Sequence, residues 1–181
     1  MKAIIPVAGF GTRLRPHTLT KPKVLMSVAG KPMIHHIVEQ LISEKLVESI
    51  IMVTGFMGDK IINYLNQSFN FKFENTIQEE ALGLGHAIHC AKNLFDRNNP
   101  EDVIIILGDT LFDVNLSEMC RSKYSVIGVK EVPDPRRFGV VEKDKNGFIS
   151  RFVEKPASPE ISKSNEAIVG LYYLKNSNVL F

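Results

Sequence analysis

The sequence predicts an α/β protein: a mixed, mostly parallel sheet flanked by helices, followed by a β-rich second half. Two patterns carry this prediction. Between residues 1 and 113, short apolar runs alternate with amphipathic stretches of helical spacing, which is typical of parallel strands buried on both faces. After Asp113, strand-like segments follow one another through short turns. We interpret residues 1–181 as a single domain with an α/β half, 1–113, and a β-rich half, 114–181.

The elements of the first half follow in chain order. Residues 2–8 form a continuous apolar run, which predicts a buried strand. Apolar residues recur at helical spacing in 33–46, and "DVIIILGD" at 102–109 predicts a strong central strand. The remaining predicted elements are strands at 49–55 and 71–77 and helices at 59–69 and 85–95.

The second half contains four strand-like segments, at 124–132, 138–144, 147–155 and 166–174. Between the second and third of them, Lys145-Asn146-Gly147 is typical of a hairpin turn. The Pro- and Ser-rich stretch 155–167 predicts a surface loop rather than a domain linker.

The composition excludes several classes of protein. The 181 residues are 44% hydrophobic and 23% charged, which is ordinary for a globular domain with a real core. A net charge of +2 is too small to indicate a non-specific nucleic-acid binder. Cys90 and Cys120 form no disulfide framework and fit a reducing compartment. Without a signal-peptide pattern or an apolar run of membrane-spanning length, we expect a cytoplasmic protein with no membrane or nucleic-acid partner.

Positive charge is concentrated near the N-terminus. No Asp or Glu precedes Glu39, whereas six cations do: Lys2, Arg13, Arg15, Lys21, Lys23 and Lys31. Several of them flank the glycines and prolines of "PVAGFGTRLRPHTLTKPK", residues 6–23, at the end of the first predicted strand. Glycines there let backbone N–H groups approach a ligand, so the segment predicts an anion site. Neither the P-loop nor the dinucleotide fingerprint matches, and an ordinary tight turn is the alternative for the glycine pair alone.

Three further features lie at predicted strand ends. Gln78 and two glycines precede the helix at 85–95, an arrangement that suits an aromatic base or simply a loop entering a helix. Asp109 ends the central strand and could hold Mg²⁺, which prefers oxygen ligands, or cap the next turn. Glu154 and Lys155 could bind sugar hydroxyls and a phosphate, or be ordinary surface charges.

Taken together, these segments form an ordered set along the chain: "AGFGTRLRPHTLTKPKVL", "VAGKPMI", "QEEALGLGHAI", "LGD", "FGVVE", "EKP" and "VGLYYL". In order and spacing, and over essentially the whole chain, they resemble the sugar-1-phosphate nucleotidylyltransferases, also called nucleotide-sugar pyrophosphorylases. The resemblance implies a Rossmann-like nucleotide-binding sheet with a β-rich sugar-binding half. It also implies an Mg²⁺-dependent enzyme that converts an NTP and a sugar 1-phosphate to an NDP-sugar and pyrophosphate. A homo-oligomer is compatible with it.

The same resemblance assigns roles to individual residues. Arg13 is expected to neutralise the departing pyrophosphate, Lys23 to lie on the reacting phosphates and Asp109 to hold Mg²⁺. The nucleotide is expected at a larger set, comprising Ala8, Gly9, Gly11, Thr12, Gln78 and Gly83. The sugar phosphate is expected at Gly139, Glu154, Lys155 and Gly170. No protein base is required, because the attacking phosphate oxygen is already anionic.

The choice of substrates is a finer question. Ala8-Gly9-Phe10-Gly11, with "IPVAG" and "EALGLGHA", is similar to bacterial glucose-1-phosphate uridylyltransferases, whereas "TRLRPHTLTKPK" is nearer the thymidylyl and guanylyl branches. We therefore expect UTP or dTTP with glucose 1-phosphate. The alternatives are GTP with mannose 1-phosphate, a phosphocholine cytidylyltransferase, and a non-catalytic nucleotide-binding or regulatory module. Because the family's domains continue beyond "GLYYL" to a second acidic metal ligand, we expect a C-terminally incomplete domain.

Overall fold

The computed structural model describes residues 1–181 and divides them into two compact units. The first unit comprises Met1–Val126 together with Tyr172–Phe181, and the second comprises Ile127–Leu171. The chain therefore leaves the first unit once and returns to it. The division of one domain into two halves at residue 113 remains a prediction from the sequence.

Parallel strands form the centre of the first unit. They are β1 (Lys2–Pro6), β4 (Ser49–Thr54), β5 (Phe73–Ile77) and β6 (Val103–Ile106), in the order β5-β4-β1-β6. The strand pairs β1–β4, β1–β6 and β4–β5 are all parallel. A short antiparallel pair, β2 (Ser27–Val28) and β3 (Lys31–Pro32), lies outside this sheet. The helices are α1 (Met33–Ser43), α2 (Gly58–Ser68), α3 (Leu84–Cys90) and α4 (Leu116–Cys120).

The core lies on the parallel strands. All six residues of β4 and all four of β6 are buried. Helix α3 contributes Ala87 to a cluster with Ile4, Ile51 and Ile105, so its apolar face packs directly on the sheet. This arrangement confirms the predicted α/β class with a mostly parallel, helix-flanked sheet. None of the helices combines the length and the apolar character that crossing a membrane requires.

Three predicted elements end earlier than their sequence patterns indicate. Strand β1 stops at Pro6 and β6 at Ile106, because the residues that follow turn at the sheet edge; Thr110 N–H donates to Leu107 C=O at 3.0 Å. Helix α3 stops at Cys90, and a separate 3₁₀ turn follows at Lys92–Leu94. Its tighter hydrogen bonds bring Phe95 into the core.

Strands make up most of the second unit, and two of them extend into the first unit at one end. Strand β8 (Gly139–Lys143) pairs antiparallel with β9 (Ile149–Glu154) and with β10 (Glu166–Leu174), and β7 (Val126–Glu131) pairs with β10. The turn between β8 and β9 contains Gly147 at φ +83°, as the hairpin prediction requires. The loop from 155 to 165 joins β9 to β10. The β-rich character predicted for this part of the chain is confirmed.

Asp102 and the C-terminal residues Tyr173, Lys175 and Asn176 form a hydrogen-bonded polar cluster in the first unit. The hydroxyl of Tyr173 and the ammonium of Lys175 donate to Oδ2 of Asp102 at 2.6 and 2.9 Å, and Asn176 N–H donates to Oδ1 at 3.2 Å. Burial disfavours the charge of Asp102, but these hydrogen bonds outweigh it and hold the pKa of the carboxyl below its usual value of 3.8. The cluster joins the start of β6 to the end of β10.

The Asp102 cluster makes stability depend on pH in the acidic range. Because the folded pKa is lowered, the cluster's contribution is full above about pH 4 and is lost as the pH falls through the folded pKa. We expect Asp102→Asn to lower the free energy of unfolding at pH 7 by about 1–3 kcal/mol. The further decrease in this free energy between pH 7 and pH 3 should be smaller in the variant than in the wild type. Urea unfolding at both pH values measures this. Asp96→Asn, at an exposed carboxylate, is the control, and an unchanged acid sensitivity in Asp102→Asn contradicts the assignment.

Candidate active site

The loop that follows β1 is held in a fixed shape. Gly11 has φ +60°, and its carbonyl accepts a hydrogen bond from Oγ1 of Thr18 at 2.8 Å. A Cβ at position 11 would lie 3.0 Å from Cγ2 of Thr18 and 3.2 Å from Cβ of Lys23, so both the conformation and the space favour glycine. Thr18 is buried and therefore anchors the loop from below.

This loop forms one wall of a cleft of about 370 Å³ within the first unit. Because the parallel strands end at a common edge, the β1 loop meets the segment that follows β6. The approach is close: a Cβ on Gly108 would lie 2.5 Å from Cγ1 of Val7. The cleft is lined by Pro6, Val7, Gly9, Gly11, Thr12, Arg13, Leu14, Lys23, Val24, Leu107 and Asp109.

Six residues of the sequence-predicted nucleotide and catalytic set line the cleft together: Gly9, Gly11, Thr12, Arg13, Lys23 and Asp109. Ala8 lies beside the cleft rather than on its wall. Its carbonyl oxygen would be only 3.0 Å from a Cβ at Gly55, so it packs against the loop that follows β4. Arg13 is exposed and stands on a 3₁₀ turn, Thr12–Leu14.

Lys23 and Asp109 form an ion pair in the cleft. Nζ of Lys23 donates to Oδ2 of Asp109 at 2.6 Å, across 86 residues of sequence. The side chains retain 34% and 44% of their exposure, so the pair faces solvent and each group remains accessible to a ligand. With Arg13, the three charges sum to +1, and the cleft favours an anion.

Asp109 also meets the minimum chemistry for a magnesium site. Mg²⁺ usually takes one or two carboxylates and completes its shell with water and substrate phosphates. Asp109 is the carboxylate that lines the cleft, and no group of three or more His, Cys, Asp or Glu side chains is placed to hold a metal alone. The residues present therefore fit a cation that is shared between Asp109 and a phosphate ligand.

Gln78 and Gly83 contact each other at the β5 side of the same sheet edge, and neither residue lines the cleft. Gln78 directly follows β5, and Nε2 of its side chain donates to the Gly83 carbonyl at 3.0 Å. His86, the third residue of α3, brings Nδ1 within 3.2 Å of the same Nε2. The loop before α3 is thus a hydrogen-bonded unit rather than a simple entry into a helix.

The predicted sugar-phosphate residues belong to the second unit. Nζ of Lys155 lies 3.0 Å from Oε1 of Glu154, and both side chains are exposed. Gly139 is opposite Glu154 in the β8–β9 register, and a Cβ there would meet Oε2 of Glu154 at 3.0 Å. These three residues form one group. Gly170 lies on β10 at φ +80°, three residues beyond Ala167, which pairs with Val140.

Comparison with known proteins decides the family. The model of the nucleotidyl transferase family matches residues 2–181. The chain belongs to this family. A bifunctional protein GlmU from Methanococcus maripaludis is 38% identical over 177 residues, and the mannose-1-phosphate guanylyltransferase catalytic subunit beta of Xenopus tropicalis is 33% identical over 181 residues. The nucleotidyl transferase chain is covered to 98% and 95% by these matches but spans only 41% and 49% of the two relatives.

A solved structure supports the fold of this nucleotidyl transferase. UDP-glucose pyrophosphorylase from Acinetobacter baumanii superposes with a TM-score of 0.80 at 28% identity, covering 96% of this chain and 74% of that one. The predicted Rossmann-like nucleotidyltransferase fold is thereby confirmed, as is the family resemblance.

Two residues that contact the candidate site residues were not predicted from the sequence. Thr18 anchors the glycine loop, and His86 contacts Gln78. Thr18 lies within the basic segment, but nothing local distinguishes its hydroxyl from that of Thr20. No sequence pattern marks His86, because a hydrogen bond between a histidine and a nearby side-chain amide leaves no spacing signature.

Proposed function

We propose that this protein transfers a nucleotidyl group from an NTP to a sugar 1-phosphate, releasing an NDP-sugar and pyrophosphate. One observation carries the proposal: a cleft at the carboxyl edge of a parallel sheet, with a glycine loop on one wall and Arg13, Lys23 and Asp109 together on its surface. UTP or dTTP with glucose 1-phosphate is the favoured pair. The choice of glucose 1-phosphate is supported by the structural similarity to UDP-glucose pyrophosphorylase from Acinetobacter baumanii.

The chemistry follows from the charges in the cleft. An oxygen of the sugar phosphate attacks the α-phosphorus of the NTP in line with the bond to the β-phosphate. The new P–O bond forms as that bond breaks, and the electron pair leaves with pyrophosphate, so no proton needs to be moved. The barrier is the repulsion between two polyanions, which Lys23 and Arg13 reduce by holding positive charge at the reacting and leaving phosphates.

Asp109 is the residue we assign to Mg²⁺. When bound, Mg²⁺ supplies further positive charge to the triphosphate and the leaving pyrophosphate. Nζ of Lys23 donates to only one of the two carboxylate oxygens of Asp109, so the same carboxylate could hold the cation through the other. The ammonium of Lys23 has three donors, so it could contact phosphate as well as Asp109.

A substrate matrix tests the proposal. Pyrophosphate release is measured for UTP, dTTP, GTP, CTP and ATP against glucose 1-phosphate, N-acetylglucosamine 1-phosphate, mannose 1-phosphate and phosphocholine, with and without Mg²⁺. We expect turnover with at least one sugar 1-phosphate, dependent on Mg²⁺ and greatest with UTP or dTTP. Turnover of CTP with phosphocholine alone would replace the sugar assignment, and no turnover by the complete gene product would refute the enzymatic function.

Lys155 tests the assignment of the sugar-phosphate side. We expect Lys155→Ala to raise the KM for the sugar 1-phosphate about 10-fold or more, because a charge-assisted contact to phosphate is lost, and to leave the KM for the NTP within about 2-fold. Lys145→Ala, in the exposed β8–β9 turn, is the matched control. Equal losses for both substrates would count against this role.

A further inference from the structure

The second unit contains a cavity that is separate from the residues assigned to the sugar phosphate. Its volume is about 430 Å³, which is in the range of small-molecule sites. Residues 134–136, before β8, form one wall, and residues 156–159 and 162–165 of the β9–β10 loop form the rest. The residues assigned to the sugar phosphate all lie outside this lining: Gly139, Glu154, Lys155 and Gly170.

Hydrogen bonds hold the β9–β10 loop in place around the cavity. Oγ of Ser164 donates to Val141 C=O at 2.6 Å and accepts from Glu166 N–H at 3.2 Å. Val132 N–H donates to Asn165 C=O at 3.0 Å. The end of the loop is therefore tied to β8 and to the residue that follows β7, and this wall of the cavity is preformed.

Arg136 is oriented in the cavity wall by a neighbouring carboxylate. Its Nε and Nη2 donate to Oδ1 and Oδ2 of Asp134 at 2.8 and 2.9 Å. These hydrogen bonds hold the pKa of Asp134 at about 2, so the carboxylate is ionised at neutral pH and keeps its grip on the guanidinium. A guanidinium carries five donors, and this pair uses two of them. The opposite edge, Nη1 and the second N–H of Nη2, is left for a ligand.

Other polar side chains on the cavity wall also have donors without protein partners. Lys163 is exposed and forms no ion pair or hydrogen bond, and the side chains of Ser158 and Asn165 form none either. Ser162 is only 6% exposed; its Oγ accepts from Ser164 N–H at 3.2 Å, but its own proton has no protein acceptor. A buried donor left unpaired costs free energy, so an acceptor in the cavity would be favoured.

The charge and the donors on the wall fit a phosphate monoester. Arg136 and Lys163 contribute two positive charges and Asp134 one negative charge, so the wall carries +1 and favours an anion. A carboxylate offers two oxygens, whereas a phosphate monoester offers three terminal oxygens and a charge of about −1.5 to −2 at pH 7. The phosphate therefore has enough oxygens to accept from both cations and from the Ser162 hydroxyl.

The rest of the wall fits a small carbon skeleton that carries hydroxyl groups. Three prolines, Pro135, Pro156 and Pro159, line the cavity and offer apolar surface to C–H groups. Ser158 and Asn165 each have both a donor and an acceptor on the side chain, so they can pair with hydroxyl groups. Apolar walls with a few placed polar groups are typical of sites for small molecules.

We propose that this cavity is a second ligand site, which binds the phosphate monoester of a small sugar through Arg136 and Lys163. Asp134 is a positioning residue, since it orients Arg136 through two hydrogen bonds. Nothing in the proposed nucleotidyl transfer uses these three residues, so the inference goes beyond that function. Glucose 6-phosphate is the probe, because its phosphate is not on the anomeric carbon and it is not an acceptor in the proposed reaction.

Isothermal titration calorimetry with the whole chain tests the site without any turnover. We expect glucose 6-phosphate to bind at least about 10-fold more tightly than glucose, glucuronate or inorganic phosphate. Lys163→Ala and Arg136→Ala should each weaken its binding at least about 5-fold, and Lys163→Arg should stay within about 3-fold of the wild type. Arg137→Ala and Lys145→Ala, at exposed cations outside the lining, are the matched controls and should stay within about 2-fold.

Lys155→Ala separates this cavity from the residues assigned to the substrate. Because Lys155 does not line the cavity, this variant should bind glucose 6-phosphate within about 2-fold of the wild type. Loss of binding in Lys155→Ala but not in Lys163→Ala would overturn the second site. So would equally tight binding of glucuronate or inorganic phosphate, or no binding of glucose 6-phosphate up to about 10 mM. If no substrate pair is turned over but the expected binding pattern is found, the proposed function fails and the second site stands.

Discussion

Replacing Arg13 with alanine is expected to lower kcat for pyrophosphate release about 100- to 1,000-fold, the usual effect of removing one donor from developing negative charge. The KM for the NTP should change much less, because the charge that Arg13 offsets grows as pyrophosphate leaves. The fold should be retained, since Arg13 is exposed and carries no core contact. Steady-state kinetics and a thermal melt on the same preparation measure both outcomes.

Arg15 provides the matched control for Arg13. It is an exposed arginine two residues further along the same basic segment, but it does not line the cleft. Arg15→Ala should keep kcat within about 3-fold of the wild type, as is usual for a surface charge outside the site. Near-normal turnover in Arg13→Ala, or an equal loss in both variants, would remove Arg13 from the catalytic set.

Asp109→Asn is expected to separate nucleotide binding from turnover. Without its carboxylate the site loses the group assigned to Mg²⁺, and kcat/KM should fall about 100-fold or more. At the same time Lys23 loses its ion-pair partner, and the three-residue charge of the cleft rises from +1 to +2. Binding of NTP in EDTA should therefore strengthen about 2- to 5-fold, a modest gain because both groups are partly exposed to solvent.

Titration of a fluorescent NTP in EDTA at low and high salt measures the binding change, and the gain should shrink as salt screens the charges. Asp113→Asn, at an exposed position outside the cleft, is the control. Wild-type turnover in Asp109→Asn would exclude Asp109 as a necessary group. Weaker binding in EDTA would mean that Lys23 does not face the nucleotide.

The fold could be predicted largely from periodicity, because burial imposes it. Strand β4 is buried at all six positions, and its sequence, "SIIMVT", is correspondingly apolar. Element ends were less predictable. The apolar run at the start of the chain continues past Pro6, yet the strand ends there because the following residues turn into the cleft. An apolar run indicates burial rather than strand conformation, and these loop residues are partly buried although they are not part of a strand.

Candidate site residues could be predicted along the whole chain, but which of them meet could be predicted only where they are close in sequence. The glycines and cations of residues 9–23 were found together because one segment carries them. The Lys23–Asp109 contact spans 86 residues and depends on the β1–β6 pairing, which no local pattern reveals. The same holds for conformation: Lys155 adopts φ +46° and Met57 φ +58°, although neither residue type signals the left-handed region.

The path of the chain through its two units also bears on how segments could be exchanged between related proteins. The chain leaves the first unit after Val126 and re-enters it at Tyr172, and the two crossing points are tied within that unit by a hydrogen bond from Lys175 N–H to Oγ of Ser125 at 3.1 Å. The unit that holds the cleft is therefore discontinuous in sequence. Because β7 and β10 each continue across a crossing point, an exchange of residues 127–171 with a relative's equivalent would have to keep both of these strands whole.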